Sequence, residues 1–266
     1  MIKLPKIEDP RGNLSFIEAG PRGACPFEIV SVRWIYDMPS GHQIGYSLDT
    51  DESQLNVAMS GSFDMVLESD PLRITLNRSD RGIEVGPGDG LKIDNFSTNS
   101  VLLQLSTLDL SGKQMEEEIA DPESSHQDSD ISDASYFELP RIPFHHGSMT
   151  FVSNGCDLLP FKVRRVFYLY DVPADAERGG HSHYKAQELI VALTGSFDVV
   201  LDDGKNPPER FTLNRPYQGL YVPAGMWRTL DDFSGGSVCM VLTSEPFSEE
   251  DYVRDYDKFK QLTSKK

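Results

Sequence analysis

The sequence predicts an all-β protein built from two tandem copies of one small domain, closed by a short C-terminal helix. An internal repeat and a succession of short β-rich runs cut by glycine turns carry this prediction. Gly61-Ser62-Phe63-Asp64-Met65-Val66-Leu67 returns 134 residues later as Gly195-Ser196-Phe197-Asp198-Val199-Val200-Leu201. At the same offset Ile35-Tyr36-Asp37-Met38-Pro39 meets Leu169-Tyr170-Asp171-Val172-Pro173, and Pro26-Phe27 meets Pro160-Phe161. With three residues inserted in the second copy, Leu76-Asn77-Arg78 meets Leu213-Asn214-Arg215, Gly82 meets Gly219, and Phe96-Ser97 meets Phe233-Ser234. Matches held in one register over about 85 residues mark a duplication.

Each copy reads as strands. Val163 to Tyr170, Leu189 to Leu201, Leu220 to Val222 and Val238 to Leu242 are rich in β-branched and aromatic residues. Asp203-Gly204, Pro223-Ala224-Gly225 and Gly235-Gly236 supply turns between them. Many short strands with such turns favour a sandwich or barrel. Only Ser248 to Lys265 reads as helix, with Ser248 as N-cap and Glu249, Glu250 and Asp251 in a first turn that favours acids. The repeat divides the chain into 1–110 and 139–266, joined by an acidic, serine-rich linker over 111–138. Within that linker only Met115–Ile119 has the look of a short helix; the rest reads as solvated chain.

The totals exclude several classes. The chain has 266 residues and a formal net charge of −17, about half of it in the linker. That balance argues against nucleic acid, whose phosphates need a basic surface, and against anionic membranes. No apolar run approaches the roughly 20 residues that span a bilayer, and the start lacks the apolar core of a signal peptide. Three scattered cysteines, Cys25, Cys156 and Cys239, make no disulfide framework. Together these predict a cytoplasmic protein.

Candidate chemistry lies in the second copy. In a strand, residues i and i+2 share a face, so His181 and His183 point together. The run His-x-His-x4-Glu-x6-Gly, from His181 through Glu188 to Gly195, resembles the first motif of the cupins, the jelly-roll β-barrel family. Gly219-x3-Pro223-x-Gly225 resembles the second motif. Metal-binding cupins carry a further histidine after it, where this chain has Met226-Trp227-Arg228. His181, His183 and Glu188 nevertheless remain a possible two-histidine, one-carboxylate metal set. His145-His146 occupy the place of Arg11 and its neighbour in the first copy and read as loop.

A closer resemblance covers nearly the whole second half. Arg164 through Pro173, Arg178-Gly179-Gly180-His181-Ser182-His183, Val200 to Gly204, Gly219 to Pro223, Trp227 and the tail from Asp251 to Phe259 resemble the WxcM-like nucleotide-sugar 3,4-ketoisomerases. The resemblance implies a cofactor-free enzyme acting on dTDP-4-keto-6-deoxyglucose. It implies that His183 or His181 is the base, since imidazole titrates near neutrality, with the other relaying a proton. It implies Tyr168 as a donor to the developing oxyanion, although Tyr168 suits core packing equally. Arg178, Lys185, Arg165 and Arg228 become candidates for the sugar oxygens or the diphosphate, with Arg165 also suited to a surface ion pair. Three departures stand out: Tyr184 where the family usually has lysine, Glu188 where it often has glutamine, and Trp227-Arg228 for Trp-His.

In the first copy every such residue is replaced. His181 meets Ser47, His183 meets Asp49, Arg178 meets Ile44 and Lys185 meets Asp51. That copy is expected to fold without catalysing, and to stand in for the partner subunit of a homodimer; a true dimer of the whole chain is the other option. Two alternatives to the ketoisomerase remain: a non-catalytic sugar-nucleotide-binding cupin and a metal-dependent cupin enzyme.

Overall fold

The computed structural model describes residues 1–20, 23–110, 134–144 and 147–264. The Met115–Ile119 helix reading and His145-His146 lie outside the described residues. The chain packs into two units that exchange segments. Unit 1 comprises Met1–Lys6, Ser15–Pro122 and Leu139–Val163; unit 2 comprises Ile7–Leu14, Glu123–Glu138 and Arg164–Lys266. The packing units therefore cross the repeat boundary expected from 1–110 and 139–266: each repeat lends part of its N-terminal region to the other unit.

Unit 1 is a two-sheet β-structure of the jelly-roll kind. Its larger sheet runs Ile2–Lys3, Arg81–Val85, Gln54–Ser60, Val101–Ser106, Ser31–Tyr36, Gly147–Ser153, Arg141–Phe144, all antiparallel. Its smaller sheet runs Ile44–Ser47, Gly90–Asp94, Phe63–Leu67, Ile74–Leu76. Between them lies a core of Phe63, Met65, Leu76, Ile83, Val85, Ile93 and Phe96, joined by Ile142, Met149 and Phe151 from the second repeat.

Unit 2 repeats the plan. Ser135–Glu138, Gln218–Val222, Glu188–Thr194, Val238–Thr243 and Arg165–Tyr170 lie side by side in one sheet. Glu209–Leu213, Phe197–Asp202, Trp227–Asp231, Arg178–His183 and Tyr252–Val253 form the other. The run read as one strand from Leu189 to Leu201 is thus two strands in different sheets, parted at Gly195 with φ +66°.

That turn explains why Gly-Ser-Phe-Asp recurs. A Cβ on Gly61 would sit 2.5 Å from the Ser97 hydroxyl, and one on Gly195 equally 2.5 Å from that of Ser234. Those hydroxyls accept from the Ser62 and Ser196 amides, each at 2.8 Å. Phe63 packs on Phe96 at 5.6 Å and Phe197 on Phe233 at 5.3 Å. Asp64 accepts from Arg73 at 3.1 Å and from Thr75 at 2.6 Å; Asp198 accepts from Arg210 at 2.8 Å and from Thr212 at 2.7 Å. All four residues of the motif serve the fold.

The helix expected over Ser248 to Lys265 is shorter. Glu249–Asp251 is a single 3-10 turn, Tyr252–Val253 is a strand, and the α-helix runs Tyr256–Thr263. Its N-cap is Asp255, whose side chain accepts from the Lys258 amide, while Ser248 makes no side-chain cap. The acids at 249–251 imitate a helical first turn, but pairing of Tyr252–Val253 with Ser182-His183 takes those residues into the sheet. No helix among the described residues is long and apolar enough to cross a membrane.

Candidate active site

The histidines sit on the strand Arg178–His183, beside Trp227–Asp231 on one side and Tyr252–Val253 on the other. Gly179 and Gly180 adopt φ +83° and +66°, and the register slips between Gly179 and His181. This bulge is open to glycine because L-residues rarely reach positive φ. Beyond it His181 and His183 are both buried, with ring centroids 5.0 Å apart and edge-on at 87°. The Tyr252 ring packs on both, at 4.8 Å from His181 and 4.4 Å from His183.

His183 lies between two carboxylates. Its Nδ1 is 3.1 Å from Asp251 Oδ2, and its Nε2 is 3.5 Å from Glu188 Oε1. Glu188 in turn accepts from both Arg228 Nη2, at 2.8 Å, and Arg228 Nε. This bidentate pair is fully buried. Burial alone would push the Glu188 carboxyl up, but Arg228, with His183, overcomes it and holds the carboxyl well below its ordinary range. Burial likewise opposes the Arg228 charge and Glu188 restores it. Two of the three departures from the family pattern, Glu188 and Arg228, are therefore one feature, a matched pair of charges.

His181 is different. Neither of its ring nitrogens has a hydrogen-bond partner of good geometry among the described residues. Burial, reinforced by the Arg228 charge, pushes its imidazole far down, so the ring is neutral near pH 7. The linked stability has a definite sign. The unfolded chain takes up a proton at His181 below the ordinary imidazole value of about 6.5 while the folded chain refuses it, so stability falls as pH falls through that value. The folded protein is expected to lose up to about 1.4 kcal/mol per pH unit between pH 6 and 5 from this one group. Glu188 adds its own loss only at lower pH, because its folded carboxyl stays ionised down to well below the ordinary range. Urea midpoints for the wild type and His181→Asn over pH 5–7 check this: the variant should have the flatter profile, and equal slopes would refute the assignment.

The other predicted residues are dispersed. Arg178 donates to the Gly12 carbonyl at 3.1 Å and lies 3.8 Å from Asp9, both contributed by the first repeat. Asp9 is clasped by Arg11, with Nε at 3.0 Å and Nη2 at 2.9 Å. Gly12 has φ +108°, and a Cβ there would stand 2.7 Å from the Val172 side chain, so this segment seats only as glycine. Arg165 is buried rather than at the surface, its guanidinium 5.0 Å from the Phe167 ring and 5.1 Å from that of Phe247. The Lys185 side chain is exposed, and its amide donates to Asp251 at 2.8 Å.

Tyr168 does not join the histidines. Residues directly opposite in antiparallel ladders share a face. Arg165 pairs with Thr243 and Thr243 with Glu188, which places these three on the histidine side. Tyr168 pairs with Met240 and Met240 with Val191, one residue out of step, so Tyr168 is fully buried on the opposite face. The oxyanion role expected of it is incompatible with that face. Sequence reading also missed Asp251, Tyr252, Asp9 and Gly12; the tail motif was the available signal for the first two.

His181, His183 and Glu188 do bring ligand atoms within 4.8 Å of one another. A dication does not fit them, because both Glu188 oxygens already face a buried guanidinium and the added charge would lie against Arg228.

In unit 1 the equivalent space is filled by neutral and charged polar groups that bind one another. Gln104 donates to Tyr46 at 2.7 Å, to Gln54 at 3.0 Å and to Asn56 at 2.7 Å; Arg33 donates to Gln104 at 2.7 Å and to Tyr46 at 3.2 Å. Gln54 stands where the second repeat has Glu188. None of these residues is a histidine.

Two duplicated β-units, one carrying a buried histidine pair and the other a closed polar network, define a tandem cupin with one candidate active centre. The chain matches the family described as "FdtA: WxcM-like, C-terminal" over residues 1–114 and 132–264, and it belongs to that family. It is 43% identical to the TDP-4-oxo-6-deoxy-alpha-D-glucose-3,4-oxoisomerase of Aneurinibacillus thermoaerophilus over 125 residues, which is 47% of this chain and 88% of that relative. Among solved structures it is similar to a 3,4-ketoisomerase from Helicobacter canadensis (32% identity, 50% of this chain and 98% of that one, TM-score 0.47). It is also similar to a mutant of the 3,4-ketoisomerase QdtA from Thermoanaerobacterium thermosaccharolyticum in complex with TDP-4-keto-6-deoxyglucose (32%, 51% and 97%, TM-score 0.49).

Proposed function

We propose that this chain is a TDP-sugar 3,4-ketoisomerase whose second repeat moves the keto group of a TDP-4-keto-6-deoxyhexose from C4 to C3 without a metal. The observation that carries the reading is the buried pair His181 and His183 in a chain that is 43% identical over 125 residues to an oxoisomerase of that type. In the proposed reaction the C3–H bond breaks and its proton passes to His183. The electron pair becomes the C3–C4 double bond, and the C4 oxygen takes a proton, giving an enediol. The O3 proton then leaves, C3=O forms, and C4 is protonated. His181, neutral and with no hydrogen-bond partner for its ring nitrogens among the described residues, suits proton delivery at oxygen. Arg178, only partly buried, suits the diphosphate. The first repeat serves as the built-in partner of a pseudo-dimer.

Incubation with TDP-4-keto-6-deoxyglucose in deuterated water, followed by NMR with and without chelator, tests this. Deuterium is expected at C3 or C4, unchanged by chelator and lost in His183→Gln. No exchange in the wild type would leave a sugar-nucleotide binder, and exchange abolished by chelator would restore the metal-dependent alternative.

A further inference from the structure

Asp251 belongs to none of the roles assigned so far, yet backbone amides hold its carboxylate against His183. Its Oδ1 accepts from the Lys185 amide at 2.8 Å and its Oδ2 from the Ala186 amide at 3.1 Å. Its own carbonyl accepts from the Tyr184 amide at 2.9 Å. These three backbone bonds fix the carboxylate in place, and Oδ2 then stands 3.1 Å from His183 Nδ1. The His183 carbonyl accepts from the Gly225 amide at 2.8 Å, so the histidine backbone is held as well.

We propose that Asp251 is a positioning residue that keeps His183 in the tautomer protonated at Nδ1, so that Nε2 presents its lone pair as the base. An ionised carboxylate only accepts, and of the two that face the ring Asp251 is the nearer. Nδ1 lies 3.1 Å from Asp251 Oδ2, whereas Nε2 lies 3.5 Å from Glu188 Oε1, which already accepts from Arg228. Nε2 makes no hydrogen bond among the described residues, so Nδ1 carries the proton. The two amides already donate to the same carboxylate and hold it as the acceptor. A neutral imidazole has one N–H, so Nε2 is left without one. When Nε2 takes the C3 proton, the imidazolium that forms lies against the Asp251 charge, the arrangement by which a carboxylate orients a catalytic histidine in acyl-transfer triads. The inference rests on the ketoisomerase reading for the identity of the proton, but not for the tautomer itself.

Ring 15N NMR of the labelled full-length chain, with His183 assigned by its loss in His183→Gln, reads the tautomer directly. The wild type is expected to show Nδ1 protonated. Asp251→Asn preserves the shape and an oxygen for the Lys185 amide, but offers an N–H where Oδ2 stood. It should shift the proton to Nε2 and lower kcat roughly 10²–10⁴-fold, with KM little changed. A wild-type His183 protonated at Nε2 overturns the proposal without need of any variant. An Asp251→Asn chain that switches tautomer and keeps its kcat overturns the catalytic part. If the wild type turns over no TDP-sugar, the functional reading fails while the 15N result still decides the role of Asp251.

Discussion

Glu188→Gln is expected to destabilise unit 2 by about 3–5 kcal/mol, because it strands the buried Arg228 charge. Arg228→Met should cost a similar amount by leaving the Glu188 carboxylate buried beside His183. The double variant should cost less than either single one. Removing both charges removes the desolvation penalty together with the attraction, and such replacements are often neutral. At about 4 °C per kcal/mol for a unit of this size, each single change should lower the melting temperature by roughly 10–20 °C. A thermal double-mutant cycle measures the coupling. Additive losses would show that the two side chains do not depend on each other, contrary to their bidentate contact.

A chain cut between Pro122 and Glu123 is expected to yield two pieces that copurify, neither of which folds alone. The N-terminal piece carries Ile7–Leu14 of unit 2, and the C-terminal piece carries Leu139–Val163 of unit 1. Without the latter, unit 1 loses the strand Gly147–Ser153, paired over six residues with Ser31–Tyr36, and the buried side chains of Ile142, Met149, Phe151 and Val152. At about 1.5–3 kcal/mol for each buried side chain, the loss is comparable to the roughly 5–15 kcal/mol that holds a typical domain together. Coexpression with a tag on one piece, followed by circular dichroism of each piece alone, tests this. A C-terminal piece that folds as a stable monomer with an intact histidine centre would refute it.

The repeat was legible because its most similar residues are those the turn and core demand: Gly195 has no room for a Cβ, Phe197 stacks on Phe233, and Asp198 ties Arg210 and Thr212. The histidine pair was legible from its spacing on a strand. Sequence leaves Tyr168 open between core packing and the oxyanion role because facing depends on ladder register with Val238–Thr243, which local sequence does not carry. In sequence Asp251 resembles an acid in a helical first turn; only the pairing of Tyr252 with His183 reveals what that acid faces. The Glu188–Arg228 pair joins positions 40 residues apart, so each looked like a separate departure. The exchange of 7–14 and 139–163 has no local signature at all.

That exchange also binds the two repeats in inheritance. A gene shortened to its histidine-bearing half would lose Asp9 and Gly12, the acid and the carbonyl that meet Arg178. A damaging change in the strand Gly147–Ser153, although encoded in the active half, would be suffered by the silent unit. Selection for turnover in one repeat thus polices the fold of the other. The first repeat could let its histidine positions drift to Ser47 and Asp49 while Gly61-Ser62-Phe63-Asp64 stayed in step with its counterpart.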